Sequence, residues 1–496
     1  MINKIKKVLV YILLFSLAAI LVFKENIGDL DELWQYSFAS NILNGLVPYR
    51  EFNIIVTPLF SFIAAIFLKL CGNQLIVMRL FNAFIFTGIL IMAYKIFKYV
   101  KINEKYCLFF TFLLYLLFYY DLGVEYNYLV LLLTLFIILL EIKNVNKYYF
   151  NENLLIGLIA GCIIITKHTI GIFISILLIM IKLLFYKYNK ENKKECAKSI
   201  MYRIIGILIP VLIFLVYLLI TDSFSEFINY AILGISEFKN NVSYANLFFN
   251  KNILIRIFSF ITPLSFTLIF QTDYMLKQGK KYNLIILLLY SIIMYIGIFP
   301  VANSGHFIIY GFIGIITVLY IGYEIFKNLK VDSKNKKRIK YFIKYFFLGV
   351  ISIFLINEAN GLIKMYTFSN INTNELNHYY GVAISKKGIN AINTIDQYIL
   401  DNKKIKKDTY ILDSSAVLYM IPIDTYYKNY NMLNKGNLGF NGEEKIIEEI
   451  QNNKNKEYLL LKDIYKKNWQ TPTNIINYVK NNKNKIGEIG AFDIYE

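Results

Sequence analysis

Long apolar runs separated by short basic loops are the feature that most constrains this chain. The runs span roughly 15 to 22 residues, the length that a helix needs to cross the hydrocarbon core of a bilayer. Hydrophobic residues make up 57% of the 496 positions and charged residues only 18%, against about 25% charged residues in soluble domains. This pattern predicts a mainly α-helical, polytopic membrane protein.

The net charge of +19 comes largely from lysines and arginines in loops between apolar runs. These loops cover residues 95–105, 187–203, 277–281 and 327–344. Positive residues in short loops mark the cytoplasmic side of a membrane protein. The charge therefore indicates orientation in the cell membrane and speaks against a nucleic-acid partner. The abundance of Ile, Lys and Asn is typical of a bacterial protein with an AT-rich gene.

The N-terminal segment carries Lys4, Lys6 and Lys7 and continues as an apolar run to Phe23. No small-residue cleavage site follows, which predicts an uncleaved first span with its N-terminus inside. All later basic loops fall inside only if residues 59–70 lie at the outer interface instead of crossing. Eleven spans result, at residues 8–23, 76–94, 106–120, 127–142, 153–166, 169–186, 203–221, 252–271, 283–299, 308–326 and 341–357.

This topology divides the chain into a membrane part, residues 1–358, and an extracytoplasmic part, residues 359–496. The first outer loop covers residues 24–57. In the C-terminal part, apolar strands alternate with amphipathic helical patterns, which predicts a small α/β domain. The predicted helices are 389–400, 443–450 and 474–479, and the predicted strands are 410–412, 458–461 and 486–495.

Two carboxylates, Asp31 and Glu32, follow the first span in this outer loop. One interpretation is that they are solvated or cap a helix that begins near Trp34, because a helix N-terminus stabilises carboxylates. The other is that one of them takes a proton from a reacting hydroxyl, which requires a carboxylate within hydrogen-bond reach. Their spacing alone leaves both interpretations open.

The order of motifs around these acids adds a second observation. The first hundred residues contain Asp31-Glu32, Tyr36, Gly45, Pro48-Tyr49, Pro58-Leu59, Gly72 and Arg79. In this order they resemble the GT-C superfamily of membrane glycosyltransferases, in the branch with protein O-mannosyltransferases and the aminoarabinose transferase of lipid A. The resemblance implies transfer of a sugar from a polyprenyl-phosphate donor to an acceptor at the outer membrane face, with inversion at the anomeric carbon.

The resemblance also implies roles for individual residues. Asp31 occupies the position of the catalytic acid in that family and is the expected general base, with Glu32 as the alternative or as a residue that positions the acceptor. The aminoarabinose branch has a Glu-Lys pair before the loop proline, whereas Val56-Thr57 stands here. The donor contacts or metal ligands that the branch takes from that pair therefore have no counterpart at these positions. The candidates for sugar or acceptor contacts are Trp34, Tyr36 and Tyr49.

A departing lipid phosphate gains negative charge, which cations stabilise. The candidates for this contact on the predicted outer face are Lys167, His168, His306 and Arg79. Each has a simpler interpretation as well: Lys167-His168 and His306 as polar turns, and Arg79 as a side chain that reaches the interface from the head of a span.

A second acidic loop contains Asp121 and Glu125 on the same predicted side. Glu125 either has a functional role at the substrate site or caps the next helix, whose N-terminus favours a carboxylate in any case. The three histidines and four scattered cysteines form no metal-binding pattern. No cofactor is therefore expected, although a divalent cation bound by carboxylates stays open.

Two other classes of protein handle lipid-linked saccharides. A transporter or flippase is expected to have ionisable residues at mid-span and broken helices, but most charges here lie in loops or at predicted helix ends. A polymerase usually concentrates arginine and histidine in a late outer loop, and residues 222–251 contain neither. A glycosyltransferase is the preferred interpretation, and the sequence specifies neither its sugar nor its acceptor.

Overall fold

Helices form most of the chain in the computed structural model. The described residues are 2–23, 27, 30–118, 123–144, 150–189, 192–237, 242–272, 282–328, 376–424, 433, 437–452, 456–464 and 471–496, with isolated positions between 349 and 363. The helices before residue 329 are α1 (Ile2–Phe23), α2 (Leu30–Leu43), α3 (Leu59–Cys71), α4 (Leu75–Tyr99), α5 (Glu104–Leu117), α6 (Tyr126–Lys143), α7 (Phe150–Ile164), α8 (His168–Asn189), α9 (Lys193–Ile220), α10 (Phe224–Phe227), α11 (Ile253–Phe266), α12 (Tyr282–Tyr295), α13 (Ser304–Tyr310) and α14 (Phe312–Asn328).

Length and composition separate candidate spans from shorter helices. Within the described ranges, five helices are long and apolar enough to cross a membrane: α4, α6, α8, α9 and α11 with its extension to Gln271. Helices α13 and α14 qualify together as a sixth, although a bend of 60° separates them. The predicted helix at 59–70 is present as α3, and the predicted span at 308–326 covers the end of α13 and most of α14, with the bend between them. The total of eleven spans stays a prediction, and most of its last member, 341–357, lies outside the described residues.

Two glycines allow α7 and α9 to pack with their backbones in contact. A Cβ atom on Gly157 would lie 2.2 Å from the carbonyl oxygen of Arg203, and one on Gly206 would lie 2.4 Å from that of Leu154. Both distances are shorter than van der Waals contact, so a larger residue at either position would push the two helices apart. Close packing of this kind is common where small residues face each other between membrane helices.

A buried ion pair ties these helices to α6. Arg203 Nη1 lies 2.6 Å from Glu141 Oε1, while its Nε donates to Asn153 Oδ1 at 3.0 Å and its Nη1 donates to the Leu178 carbonyl at 2.8 Å. Buried charges are tolerated when they are paired and hydrogen-bonded in this way. The sequence placed Arg203 at the head of a span, but α9 begins at Lys193 and carries this arginine inside the helix bundle.

The C-terminal part contains a four-stranded sheet of order β1-β2-β4-β3, in which only the β1–β2 pair is parallel. The predicted α/β organisation is confirmed, but the single last strand at 486–495 is wrong: a turn at Gly490, with φ of 52°, divides it into a hairpin. The elements are α15 (Lys386–Lys404), β1 (Asp408–Ile411), α16 (Ala416–Met420), α17 (Gly442–Asn452), β2 (Lys456–Leu461), α18 (Thr473–Asn482), β3 (Lys485–Ile489) and β4 (Phe492–Tyr495).

The beginning of the C-terminal part packs directly on the helices. Leu376, Tyr379, Val382 and Val417 belong to the same buried apolar cluster as the membrane helices. The sheet has its own clusters on its two faces, one of which includes Leu460. The two parts of the chain are therefore in extensive contact, and the boundary at residues 358 and 359 stays a prediction.

Candidate active site

The two first-loop carboxylates lie in the first turn of α2, because this helix begins at Leu30. The predicted loop 24–57 therefore contains a helix, which starts one turn earlier than expected. Here the unpaired backbone N–H groups of the helix end stabilise negative charge. The two side chains then diverge: Asp31 is exposed, whereas Glu32 is buried.

Glu32 forms a bidentate ion pair with Arg79 of α4. Arg79 Nε donates to Glu32 Oε1 at 2.8 Å, and Arg79 Nη2 donates to Oε2 at 2.7 Å. The side chains are 6% and 1% exposed. This geometry satisfies both carboxylate oxygens and joins α2 to α4. In the structure, Glu32 and Arg79 bond to each other. Their predicted roles, Glu32 with the acceptor and Arg79 with the donor phosphate, stay predictions.

A second polar cluster surrounds Lys167, which lies in the turn between α7 and α8. Lys167 Nζ donates to Tyr310 Oη at 2.6 Å and to Asn127 Oδ1 at 3.2 Å. The Tyr310 hydroxyl also donates to Asn127 Oδ1, at 2.6 Å, and Asn127 Nδ2 donates to Glu125 Oε2 at 2.7 Å. One lysine, one asparagine, one tyrosine and one glutamate thus form a continuous hydrogen-bonded chain that joins α6, α13 and the turn between α7 and α8.

The charge of Lys167 depends on its surroundings. Burial lowers the pKa of its ammonium group to about 8, and the nearby Glu125 carboxylate opposes this shift. The Nζ atom lies 4.8 Å from the ring centroid of Tyr310 and 5.6 Å from that of Tyr126, within the range of cation–π attraction. Part of the side chain is still open to solvent. Lys167 is thus a cation fixed by its neighbours in a half-buried position.

Both candidate histidines lie close enough to Lys167 to interact with it electrostatically. The His306 ring stacks on Tyr310, with ring centroids 6.0 Å apart, and its Nδ1 lies 2.8 Å from the Val301 carbonyl oxygen. His168 Nδ1 is buried and has no hydrogen-bond partner within the described part of the chain. The structure thus brings together three of the four predicted phosphate contacts, while the fourth, Arg79, pairs with Glu32.

The first loop approaches the Lys167 cluster. The carboxylates of Asp31 and Glu125 both lie near enough to the Tyr126 hydroxyl to act on it electrostatically. Thr57 Oγ1 donates to the Ile164 carbonyl at 2.9 Å, which anchors the end of the first loop beside the turn that carries Lys167. The other predicted acid of the second loop, Asp121, lies outside the described residues.

The three aromatic candidates of the first loop are buried. Tyr49 donates from its hydroxyl to the Val56 carbonyl at 2.7 Å, and the Tyr36 hydroxyl lies 2.9 Å from His378 Nδ1. Trp34 is 3% exposed, and its Nε1 has no partner among the residues described. In this structure all three rings pack inside the protein, so a sugar contact by any of them requires the ring to be uncovered and stays a prediction.

Two members of the site were not found from the sequence. Asn127 and Tyr310 lie 183 positions apart and meet only because α13 bends away from α14 directly after Tyr310. The one local signal was the polar Asn127 at the start of an apolar helix. Within the described ranges, no group of three or more His, Cys, Asp or Glu side chains is arranged to hold a metal ion.

Comparison with known proteins addresses the fold. No protein-family model and no curated protein matches the chain. A crystal structure of apo ArnT from Cupriavidus metallidurans matches with a TM-score of 0.57 at 9% identity, over 99% of this chain and 98% of that one. The chain has the ArnT fold. A second ArnT structure, bound to undecaprenyl phosphate, matches with a TM-score of 0.56 at 11% identity, over 98% and 97% of the two chains.

ArnT is an aminoarabinose transferase with the GT-C fold. The resemblance to the GT-C superfamily, which rested on the first hundred residues, is therefore confirmed as a similarity of fold that extends over nearly the whole chain. At 9% to 11% identity, the match to ArnT concerns the fold alone. The fold is that of a polytopic, mainly helical membrane protein with a small C-terminal sheet.

Proposed function

We propose that this protein transfers a sugar from a polyprenyl-phosphate donor to an acceptor hydroxyl at the outer face of the cell membrane. The observation that carries the proposal is that Asp31, the exposed carboxylate in the first turn of α2, interacts electrostatically with Tyr126, whose ring centroid lies 5.6 Å from Lys167 Nζ. The proposal assigns this carboxylate to the acceptor and the Lys167 ammonium to the donor phosphate. The ArnT fold, of which one structure has undecaprenyl phosphate bound, supports the same reaction class.

In the proposed reaction, Asp31 takes the proton of the acceptor hydroxyl while its oxygen attacks the anomeric carbon. The bond between that carbon and the phosphate oxygen breaks, and its electron pair leaves with the polyprenyl phosphate. Lys167, with His168 and His306 beside it, offsets the charge that develops on the phosphate. Glu125 acts through Asn127 to hold the lysine in place. Attack opposite the leaving group inverts the anomeric carbon.

The proposed topology places residues 1–358 in the membrane part and residues 359–496 outside the cell. The C-terminal part contacts α2 and the first loop, for example where Asn53 Nδ2 donates to the Asn437 carbonyl at 3.2 Å. It therefore shares the side of the membrane on which that loop lies. The lysines before the first span favour a cytoplasmic N-terminus, so this side is the outer one.

Two observations favour the alternative function, a transporter of lipid-linked saccharides. The buried Glu141–Arg203 pair and the break between α13 and α14 are features that transporters use to bind and move substrates. However, Arg203 is bonded to Glu141, Asn153 and the Leu178 carbonyl, which is the arrangement of a structural ion pair. The broken helix instead supplies Tyr310 to the Lys167 cluster.

The test uses purified protein in vesicles with a panel of undecaprenyl-phosphate sugars, extracted glycolipids as acceptors, and release of undecaprenyl phosphate as the signal. We expect turnover of one donor, and a loss of at least roughly a hundredfold in kcat for Asp31→Asn, the size expected for removing a general base. The matched control is Glu51→Gln, which removes another first-loop carboxylate and should retain activity. Movement of an intact lipid-linked saccharide across the bilayer without cleavage would instead establish the transporter.

The pH dependence of donor binding tests Lys167 separately. An ammonium group whose pKa is about 8 loses its charge as the pH rises through that value. We therefore expect undecaprenyl phosphate to bind more weakly above pH 8 than at pH 7, and Lys167→Gln to remove this dependence. A wild-type affinity that is constant between pH 7 and 9 would contradict the assignment of Lys167 to the phosphate.

A further inference from the structure

Three polar residues line one face of α2, at intervals of four positions. Glu32, Tyr36 and Ser40 are all buried, and residues four apart in a helix lie above one another on the same side. Glu32 bonds to Arg79, and Ser40 Oγ accepts from Asn73 Nδ2 at 2.8 Å. Both of these partners belong to α4 or the loop before it. The middle residue, Tyr36, is different.

The partner of Tyr36 comes from the C-terminal part. His378 Nδ1 lies 2.9 Å from the Tyr36 hydroxyl oxygen, and Nε2 lies 3.2 Å from Asp424 Oδ2. With the ring proton on Nε2, the imidazole donates to Asp424 and accepts from Tyr36. Nδ1 also lies 3.2 Å from the Asn73 carbonyl oxygen, to which it donates when Nδ1 carries a proton. Asp424 also accepts from Asn44 Nδ2, just beyond the end of α2, at 3.4 Å. The pair His378–Asp424 therefore bonds to the helix in its middle and next to its end.

We infer that His378 is a positioning residue: it holds α2, and with it the exposed Asp31, in the geometry that sugar transfer requires. The inference rests on the proposed function and assigns a role to the C-terminal part, which becomes a component of the catalytic unit. A change of about 1 Å in the position of a reacting group can cost a hundredfold in rate. A helix whose residues form hydrogen bonds at three positions along one face cannot rotate about its axis without breaking those bonds.

The surrounding contacts agree with a fixed arrangement of the two parts. The Tyr379 hydroxyl donates to the Leu418 carbonyl at 2.9 Å, so the segment that carries His378 is bonded to α16, which itself packs on α2. Tyr379 and its neighbours are continuous with the apolar cluster of the membrane helices. Large apolar interfaces between two parts of a chain oppose relative motion.

The chain offers a matched control in a second contact between the same two parts. Lys445 Nζ lies 3.3 Å from Glu226 Oε1, which ties α17 to α10 without touching α2. If His378 acts through α2, Lys445→Gln should leave kcat unchanged. If any weakening of the contact between the two parts lowers activity, both variants should lose it equally.

The experiment compares Tyr36→Phe, His378→Asn, His378→Gln and Lys445→Gln in the full-length protein. Asparagine places an amide near the original Nδ1 and keeps the bond to Tyr36, whereas glutamine places it near Nε2 and keeps only the bond to Asp424. We expect Tyr36→Phe and His378→Gln to lower kcat by roughly tenfold or more, with the donor KM within about twofold of wild type. His378→Asn should retain most of the wild-type kcat.

Hydrogen exchange of the α2 peptide provides a readout that does not depend on activity. We expect faster exchange in residues 30–43 for Tyr36→Phe and His378→Gln, and wild-type exchange for Lys445→Gln. Unchanged exchange in α2, or equal loss of kcat in Lys445→Gln, would overturn the inference. If the wild-type protein transfers no sugar, the proposed function fails, and the exchange data alone decide whether His378 holds α2.

Discussion

Breaking the buried Glu32–Arg79 pair is the perturbation whose result can be worked out most fully from the structure. The substitution Arg79→Met removes both hydrogen bonds and leaves the Glu32 carboxylate, 6% exposed, without this partner. Removing one member of a buried ion pair costs about 3 to 5 kcal/mol, mainly because the remaining charge is still buried. Replacing both members with apolar residues, Glu32→Leu with Arg79→Met, is expected to be nearly neutral.

These energies translate into a measurable shift. Unfolding entropy is about 2.1 cal/mol/K per residue near the midpoint, or about 1 kcal/mol/K for a chain of 496 residues. Arg79→Met should therefore lower the thermal midpoint by about 3 to 5 °C, measured by circular dichroism in detergent micelles. The double variant should recover most of that loss. The two substitutions are thus expected to be strongly non-additive, as residues in direct contact are.

An exposed ion pair in the first loop provides the control. Arg50 and Glu51 lie 3.6 Å apart with side chains 44% and 37% exposed, and a pair of this kind contributes at most about 1 kcal/mol. The reasoning is refuted if Arg79→Met lowers the midpoint no more than Arg50→Met does, or if the double variant loses the sum of the two single losses. Undecaprenyl phosphate binding by a stable double variant would further show that Arg79 serves α2 and not the phosphate.

Two further predictions concern parts of the molecule away from the site. Burial raises the pKa of Asp396 to about 8, so the folded state keeps a proton that the unfolded state releases near pH 4, and stability falls as the pH rises between these values. Asp396→Asn should match wild type near pH 4 and be more stable by a few kcal/mol at pH 8.5, in thermal unfolding; equal midpoints at pH 8.5 would contradict this. Gly206→Ala should destabilise the α7–α9 contact by about 1 to 3 kcal/mol, whereas Gly322→Ala in α14, with no atom within 4 Å of the added Cβ, should not; equal effects would refute the packing argument.

The local pattern of the sequence determined much of the fold. Apolar runs of bilayer length predicted the helices α1, α4 to α9, α11 and α12, because a backbone in hydrocarbon must satisfy its hydrogen bonds within the segment. Alternation of strand and helix patterns predicted the C-terminal sheet. The missed turn at Gly490 and the missed bend between α13 and α14 have a common cause: each break is only one or two residues long, too short to interrupt the pattern of the segment around it.

Only part of the candidate site could be predicted from the sequence. The order of motifs in the first hundred residues pointed to Asp31 and Glu32, but it could not show that one is exposed and the other bonded to Arg79. These side chains are adjacent in sequence and differ by about 100° around the helix axis. Which of the two faces solvent depends on what packs against α2.

What the sequence by itself determined is therefore the class of molecule, its helices and the candidate residues, because hydrophobic length and charge placement act locally. What only the tertiary structure decided is which polar groups meet. Lys167 meets Tyr310, 143 positions away, and Tyr36 meets His378, 342 positions away. No local propensity encodes such contacts, because they arise when the packing of the whole chain excludes water and a buried polar group gains stability by bonding to whichever partner that packing brings near.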